Sequence, residues 1–125
     1  MFLDTSVLIA AVTGKHESMP DVESAVMNGE DLMLSTVVLY EWLRGPRTSS
    51  EILQQEHLVP SADAFVFGAE EAALAADIYR AVKRARTREI DIAIAATAIY
   101  HNAQLWTLNP ADFSDIPGLK LYKPR

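Results

Sequence analysis

Glu89-Ile90-Asp91-Ile92-Ala93-Ile94-Ala95-Ala96-Thr97-Ala98-Ile99-Tyr100-His101, followed by Gln104-Leu105-Trp106-Thr107-Leu108-Asn109-Pro110, decides how the rest of the chain is read. The first run reads as a helix from about Glu89 to His101. Gln104 to Thr107 reads as a strand, and Asn109-Pro110 as the turn that ends it. By helical steps Asp91 shares a stripe with Ile94, Ala95 and Ala98. An ionised carboxylate on an apolar stripe costs several kcal/mol unless something compensates it. A bound cation would compensate it. The alternative is that Asp91, in the first helical turn, interacts favourably with the helix dipole, worth about 0.3–1 kcal/mol.

The same alternation runs through the chain. Met1 to Asp4 is a short buried strand that leads into a helix, Ser6 to Val12. A helix over Pro20 to Met27 starts at proline and ends at Asn28-Gly29. Asp31 to Ser35 fits a strand. Ser35 or Thr36 caps a helix through Leu43, which Gly45-Pro46 stops. Helices over Ser49 to Leu58 and Ala69 to Arg84 flank an extended segment, Ala64 to Phe67. A last strand, Leu119 to Tyr122, follows Pro117-Gly118. Short apolar strands alternating with helices give an α/β fold, a mostly parallel sheet covered on both faces. Ligands in such folds bind beyond the carboxyl ends of the strands.

The 125 residues fit one domain, residues 1–125. Without cysteine there is no disulfide, thiolate zinc site or cysteine nucleophile. The 11 basic and 17 acidic residues give a net charge of −6, which argues against a simple cationic coat for nucleic acid. No apolar stretch approaches the ~20 residues of a membrane span. The N-terminus has no basic leader, and the expected location is cytoplasmic.

Three more acids stand out by position. Asp4 ends the first strand and is followed by Thr5 and Ser6. It is either a helix cap or a ligand at the sheet edge. Glu41 lies among Val37, Val38, Leu39, Tyr40, Trp42 and Leu43, and is either the one solvent-facing position, with Arg44 available to pair, or a buried ligand. Asp112 follows Thr107, Asn109 and Pro110, where an ordinary turn residue also fits. Carboxylates that share one sheet edge repel and need counter-ions. Oxygen ligands suit Mg²⁺ or Mn²⁺, and two such ions would clamp a phosphodiester. Four acids would account for most of the negative charge.

Arg80, Lys83, Arg84, Arg86 and Arg88 place five of the 11 cations within nine residues leading to Asp91. Arg44 and Arg47 follow Glu41. Arg44, Arg47, Arg84, Arg86 and Arg88 are candidate phosphate contacts, with a solvated helix end as the alternative. His16, His57 and His101 are scattered, which disfavours histidine acid–base chemistry. Ser6 has no base partner. Trp42 and Trp106 read as core or interface, and Met19, Met27 and Met33 as packing residues.

Together these residues resemble the PIN domain, most closely the VapC-like toxin ribonucleases of toxin–antitoxin pairs. The matching stretches are Phe2-Leu3-Asp4-Thr5-Ser6, Tyr40-Glu41-Trp42-Leu43-Arg44-Gly45, Asp91 to Ala98, and Thr107-Leu108-Asn109-Pro110-Ala111-Asp112-Phe113, with Ile116-Pro117-Gly118-Leu119 as a tail. The resemblance implies a PIN-like three-layer sandwich with a central sheet of four to five strands. It implies a metal-dependent endoribonuclease with Asp4, Glu41, Asp91 and Asp112 as catalytic and metal-binding acids. Thr5, Ser6, Thr107 and Asn109 match supporting polar positions. The implied cofactor is Mg²⁺, or Mn²⁺. The implied partners are an RNA substrate such as tRNA or ribosomal RNA, a cognate antitoxin and a second copy of the chain. The loop Arg86-Thr87-Arg88-Glu89-Ile90 departs from the family in lacking glycine or proline. A receiver-like signalling domain fits poorly, because Asp4 has no acidic neighbour and Lys120 lies inside a strand. A non-catalytic binding module is the remaining alternative.

Overall fold

Phe2–Leu3 (β1) lies parallel to Leu105–Trp106 (β2), with Phe2 opposite Leu105 and Leu3 opposite Trp106. All four side chains are buried, as expected for apolar strands covered on both faces. This computed structural model describes residues 1–14 and 18–124. Three further segments join the sheet through single parallel bridges: Met33 to Phe2, Phe65 to Ser35, and Leu121 to Leu105. The expected sheet of four to five strands is therefore reduced to two paired strands among the described residues. The outer segments turn away at once. Ser35, for instance, already caps the next helix.

Six α-helices surround this frame among the described residues: Thr5–Thr13 (α1), Ser18–Met27 (α2), Thr36–Arg44 (α3), Ser49–Leu58 (α4), Ala69–Ala81 (α5) and Glu89–Tyr100 (α6). Helix α1 ends at Gly14, whose φ of 70° is left-handed and suits glycine. Thr48 and Glu51 form a reciprocal capping box at the start of α4. Helix α6 is apolar on most sides, and Ile92, Ile94, Ala95, Ala96 and Ala98 are buried. It packs along α5 and also against α3.

Helix α5 stops at Ala81 rather than at Arg84. Val82 is extended and Arg84 adopts a left-handed φ of 52°, so the chain reverses through a 3-10 turn, Ala85–Thr87, into α6. Met27 is 86% exposed and does not pack, because it sits in the last turn of α2 facing outward. Met33 does pack on the core, and Trp42 and Trp106 are within it. His16 and the side chain of Met19 lie outside the described residues. No helix among the described residues is long and apolar enough to cross a membrane.

Ser35 is buried and its Oγ accepts from the Val38 N–H at 3.1 Å. Ser35→Ala should cost about 1 kcal/mol through the lost cap, read as a lower urea midpoint at constant slope.

Candidate active site

Each acid of the quartet comes from a different part of the frame. Asp4 leaves β1 and occupies the N-cap position of α1, but its side chain makes no capping bond. Instead Oδ2 accepts from Ser6 Oγ at 2.8 Å and from Thr107 Oγ1 at 2.7 Å. The Asp4 N–H donates to the Trp106 carbonyl, so the β1–β2 pairing fixes the meeting of Asp4 with Thr107. Two backbone groups hold the hydroxyls in turn. Leu108 N–H donates to Ser6 Oγ at 3.1 Å, and Asn109 N–H to Thr107 Oγ1 at 3.0 Å.

Glu41, on α3, accepts from Thr5 Oγ1 at 2.6 Å through Oε1 and from Arg44 at 3.2 Å through Oε2. The pairing with Arg44 is therefore present, and Glu41 is half-buried. Asp91 is on the first turn of α6. Burial pushes its carboxyl up to about 6, and repulsion from Asp4, Asp112 and Glu41 adds to the rise, while Arg88 opposes it. Asp112 closes a short 3-10 turn, Pro110–Asp112, and is exposed.

Asp4, Glu41 and Asp112 are therefore all within electrostatic reach of Asp91. Among the described residues, no three acids close around a common point tightly enough to hold an ion. Asp4 is turned toward two hydroxyls and Glu41 toward Thr5 and Arg44. The donor set is all oxygen, and a divalent cation would relieve both the burial of the Asp91 charge and the repulsion that adds to it. In chemistry the residues fit Mg²⁺ or Mn²⁺. Thr107→Val removes a hydroxyl that orients Asp4. Partners of this kind commonly carry 10–100-fold in metal affinity, and calorimetric titration with Mn²⁺ should show a loss in that range.

The five candidate arginines separate. Arg47 folds back: its guanidinium lies 4.3 Å from the Trp42 ring centre and donates to the Trp42 carbonyl at 2.9 Å. Arg88 is tied by two bonds to Asp115, at 2.9 and 2.6 Å, and donates to the carbonyls of Asp112 and Lys83. It thereby joins the segment carrying Asp112 to the helix carrying Asp91. Arg44 is paired with Glu41. Arg84 and Arg86 are exposed. Asp115 escapes sequence reasoning: its partner is 27 residues away, and no local pattern marks such a pair.

The chain matches the PIN domain family over residues 1–119. It belongs to the PIN domain family. The family is one of nucleases. No match was found among curated proteins. Several solved structures share the fold. The DNA-bound VapBC from Salmonella typhimurium aligns with a TM-score of 0.74 at 22% identity, over 97% of this chain and 95% of that one. A toxin–antitoxin complex from Klebsiella pneumoniae aligns at 0.72 and 20% identity, over 99% and 97%. FitAcB from Neisseria gonorrhoeae aligns at 0.69 and 20% identity, over 98% and 96%. This PIN chain thus shares its fold with proteins solved in VapBC and FitAcB and in a toxin–antitoxin complex.

Proposed function

We propose that this PIN chain is a Mg²⁺- or Mn²⁺-dependent endoribonuclease and the toxin of a toxin–antitoxin pair. One observation carries the reading: Asp4, Glu41 and Asp112, far apart in sequence, all act electrostatically on the half-buried Asp91. Within a PIN fold, that convergence suits hydrolysis of a phosphodiester. The solved complexes of similar fold support an antitoxin as partner.

Asp4, Glu41 and Asp91 would hold the ion, with Asp112 holding a second or orienting water, helped by Asn109. The bound cation supplies the charge that activates water and stabilises the leaving 3′-oxygen. The chain's own contribution is orientation. Ser6 and Thr107 fix one face of Asp4, and Thr5 fixes one oxygen of Glu41. Arg88 holds the Asp112 segment against α6. No residue is required to deprotonate a ribose 2′-hydroxyl, so a single 2′-deoxy substitution at the cut site should leave the chemistry possible, and total loss of cleavage with intact binding would count against this route.

The test is incubation with total cellular RNA in Mg²⁺, Mn²⁺ or EDTA, beside Asp91→Asn. Discrete, metal-dependent cleavage absent from the variant is the expected result. A non-catalytic binding module is the competing reading; the acids that converge on Asp91 argue against it, and a folded chain that binds no metal would favour it. Absence of cleavage together with no calorimetric metal binding would overturn the nuclease reading and move that alternative ahead.

A further inference from the structure

Two clefts meet at Asp91. One, of about 340 Å³, includes Glu41, Arg44 and Arg86. The other, of about 450 Å³, lies between the Ala85–Thr87 turn and the segment 110–115, and includes Arg84, Asp112 and Asp115. Thr87, Arg88 and Asp91 line both. A strand crossing Asp91 would leave through one cleft and enter through the other. The second cleft carries three acids, Asp91, Asp112 and Asp115, and would repel a phosphate without a cation to receive it.

Arg88 does not fill that role, because four of its five N–H donors are spent on Asp115 and on the carbonyls of Asp112 and Lys83. Arg84 differs. Its backbone carbonyl accepts from Thr87, but among the described residues its guanidinium makes no hydrogen bond or ion pair. It lies within electrostatic reach of Asp115. Its φ of 52° is left-handed, a conformation that glycine adopts freely and a side chain with a β-carbon disfavours. The backbone therefore gains nothing from arginine here; the side chain is what the position supplies. A guanidinium presents paired donors that match phosphate oxygens.

We propose that Arg84 holds a backbone phosphate of the RNA in the cleft beside Asp112 and Asp115, adjacent to the scissile bond rather than at it. The proposal rests on the ribonuclease reading and assigns its substrate path.

The test measures binding of a fluorescent single-stranded RNA 12-mer of mixed sequence in Mg²⁺, in the uncut Asp91→Asn background. Arg84→Gly should weaken binding roughly five- to tenfold near 0.1 M salt and flatten the salt dependence by about 0.7 in log–log slope. Its Tm should be unchanged or raised, since glycine accepts the left-handed backbone. Arg84→Lys should keep the slope and most of the affinity. Arg80→Ala removes the same charge from the exposed surface of α5 and should leave the slope alone. Equal binding by Arg84→Gly and the parent, or equal weakening by Arg80→Ala, overturns the assignment while sparing the ribonuclease reading. If the parent binds no RNA and wild type cuts none, both fall together.

Discussion

Asp91→Asn is expected to lower RNA cleavage by about 10³-fold or more while making the metal-free protein more stable. The two effects share one cause. Asp91 carries its charge in a half-buried place facing Asp4, Asp112 and Glu41, and its carboxyl is pushed up to about 6. An acid raised in the fold binds its proton more tightly folded than unfolded. Stability is therefore fully helped below the ordinary value near 3.8, and that help is lost as pH rises toward about 6. At neutral pH the metal-free fold bears the ionised, repelled group. Asparagine is neutral and nearly isosteric, so it removes the repulsion at all pH values. Allowing for solvent screening, the gain is on the order of 1 kcal/mol, or about 3–5 °C in Tm. Between pH 4 and 6 the wild-type Tm should fall with rising pH more than that of the variant.

Metal should reverse the order. A ligand that binds only the folded state stabilises it by about 2.7 kcal/mol at a hundred times its Kd. Wild type should gain this in Mn²⁺, and Asp91→Asn should gain far less. Thermal melts of both proteins with Mn²⁺ or EDTA, set beside their cleavage rates, check the whole argument. If the variant were less stable than wild type in EDTA, the electrostatic account of the site would be wrong.

How much of this was legible follows from what each feature depends on. The helices depend on local pattern, and the cap at Ser35 follows from residue type; the cap at Thr48 and the left-handed Gly14 went unread, though their residue types suit them. Asp4 and Asp91 stood out because acids at a strand end and on an apolar stripe violate the local pattern, and each lies within electrostatic reach of the other. The sheet was overread because apolar segments such as 31–35 and 119–122 look like strands, whereas bridging depends on how soon each segment turns away. The arginines were the least legible. Arg47 and Arg88 differ from Arg84 only in partners set by tertiary structure, a tryptophan ring in one case and Asp115 in the other. The end of α5 was hidden for a related reason. Ala81 to Arg84 contains no glycine or proline, yet the chain must turn there to bring α6 back along α5.

Trp106→Ala is expected to be the most destabilising of these substitutions, by about 3–5 kcal/mol. Trp106 is 1% exposed at the end of β2, opposite Leu3, with the Tyr122 ring 5.2 Å away. Truncation removes a large buried surface and leaves a cavity that the paired strands hold open. Domains of this size are stable by about 5–15 kcal/mol, so much of the native margin would go. The loss should be seen first as a urea midpoint shift of that size. It should then reach the site, because the Trp106 carbonyl receives the Asp4 N–H and the next residue, Thr107, bonds the Asp4 carboxylate. Trp106→Phe fills most of the space and should retain most stability and cleavage. Should the alanine variant unfold with wild-type cooperativity and midpoint, the β1–β2 pair could not be what holds Asp4 against Thr107.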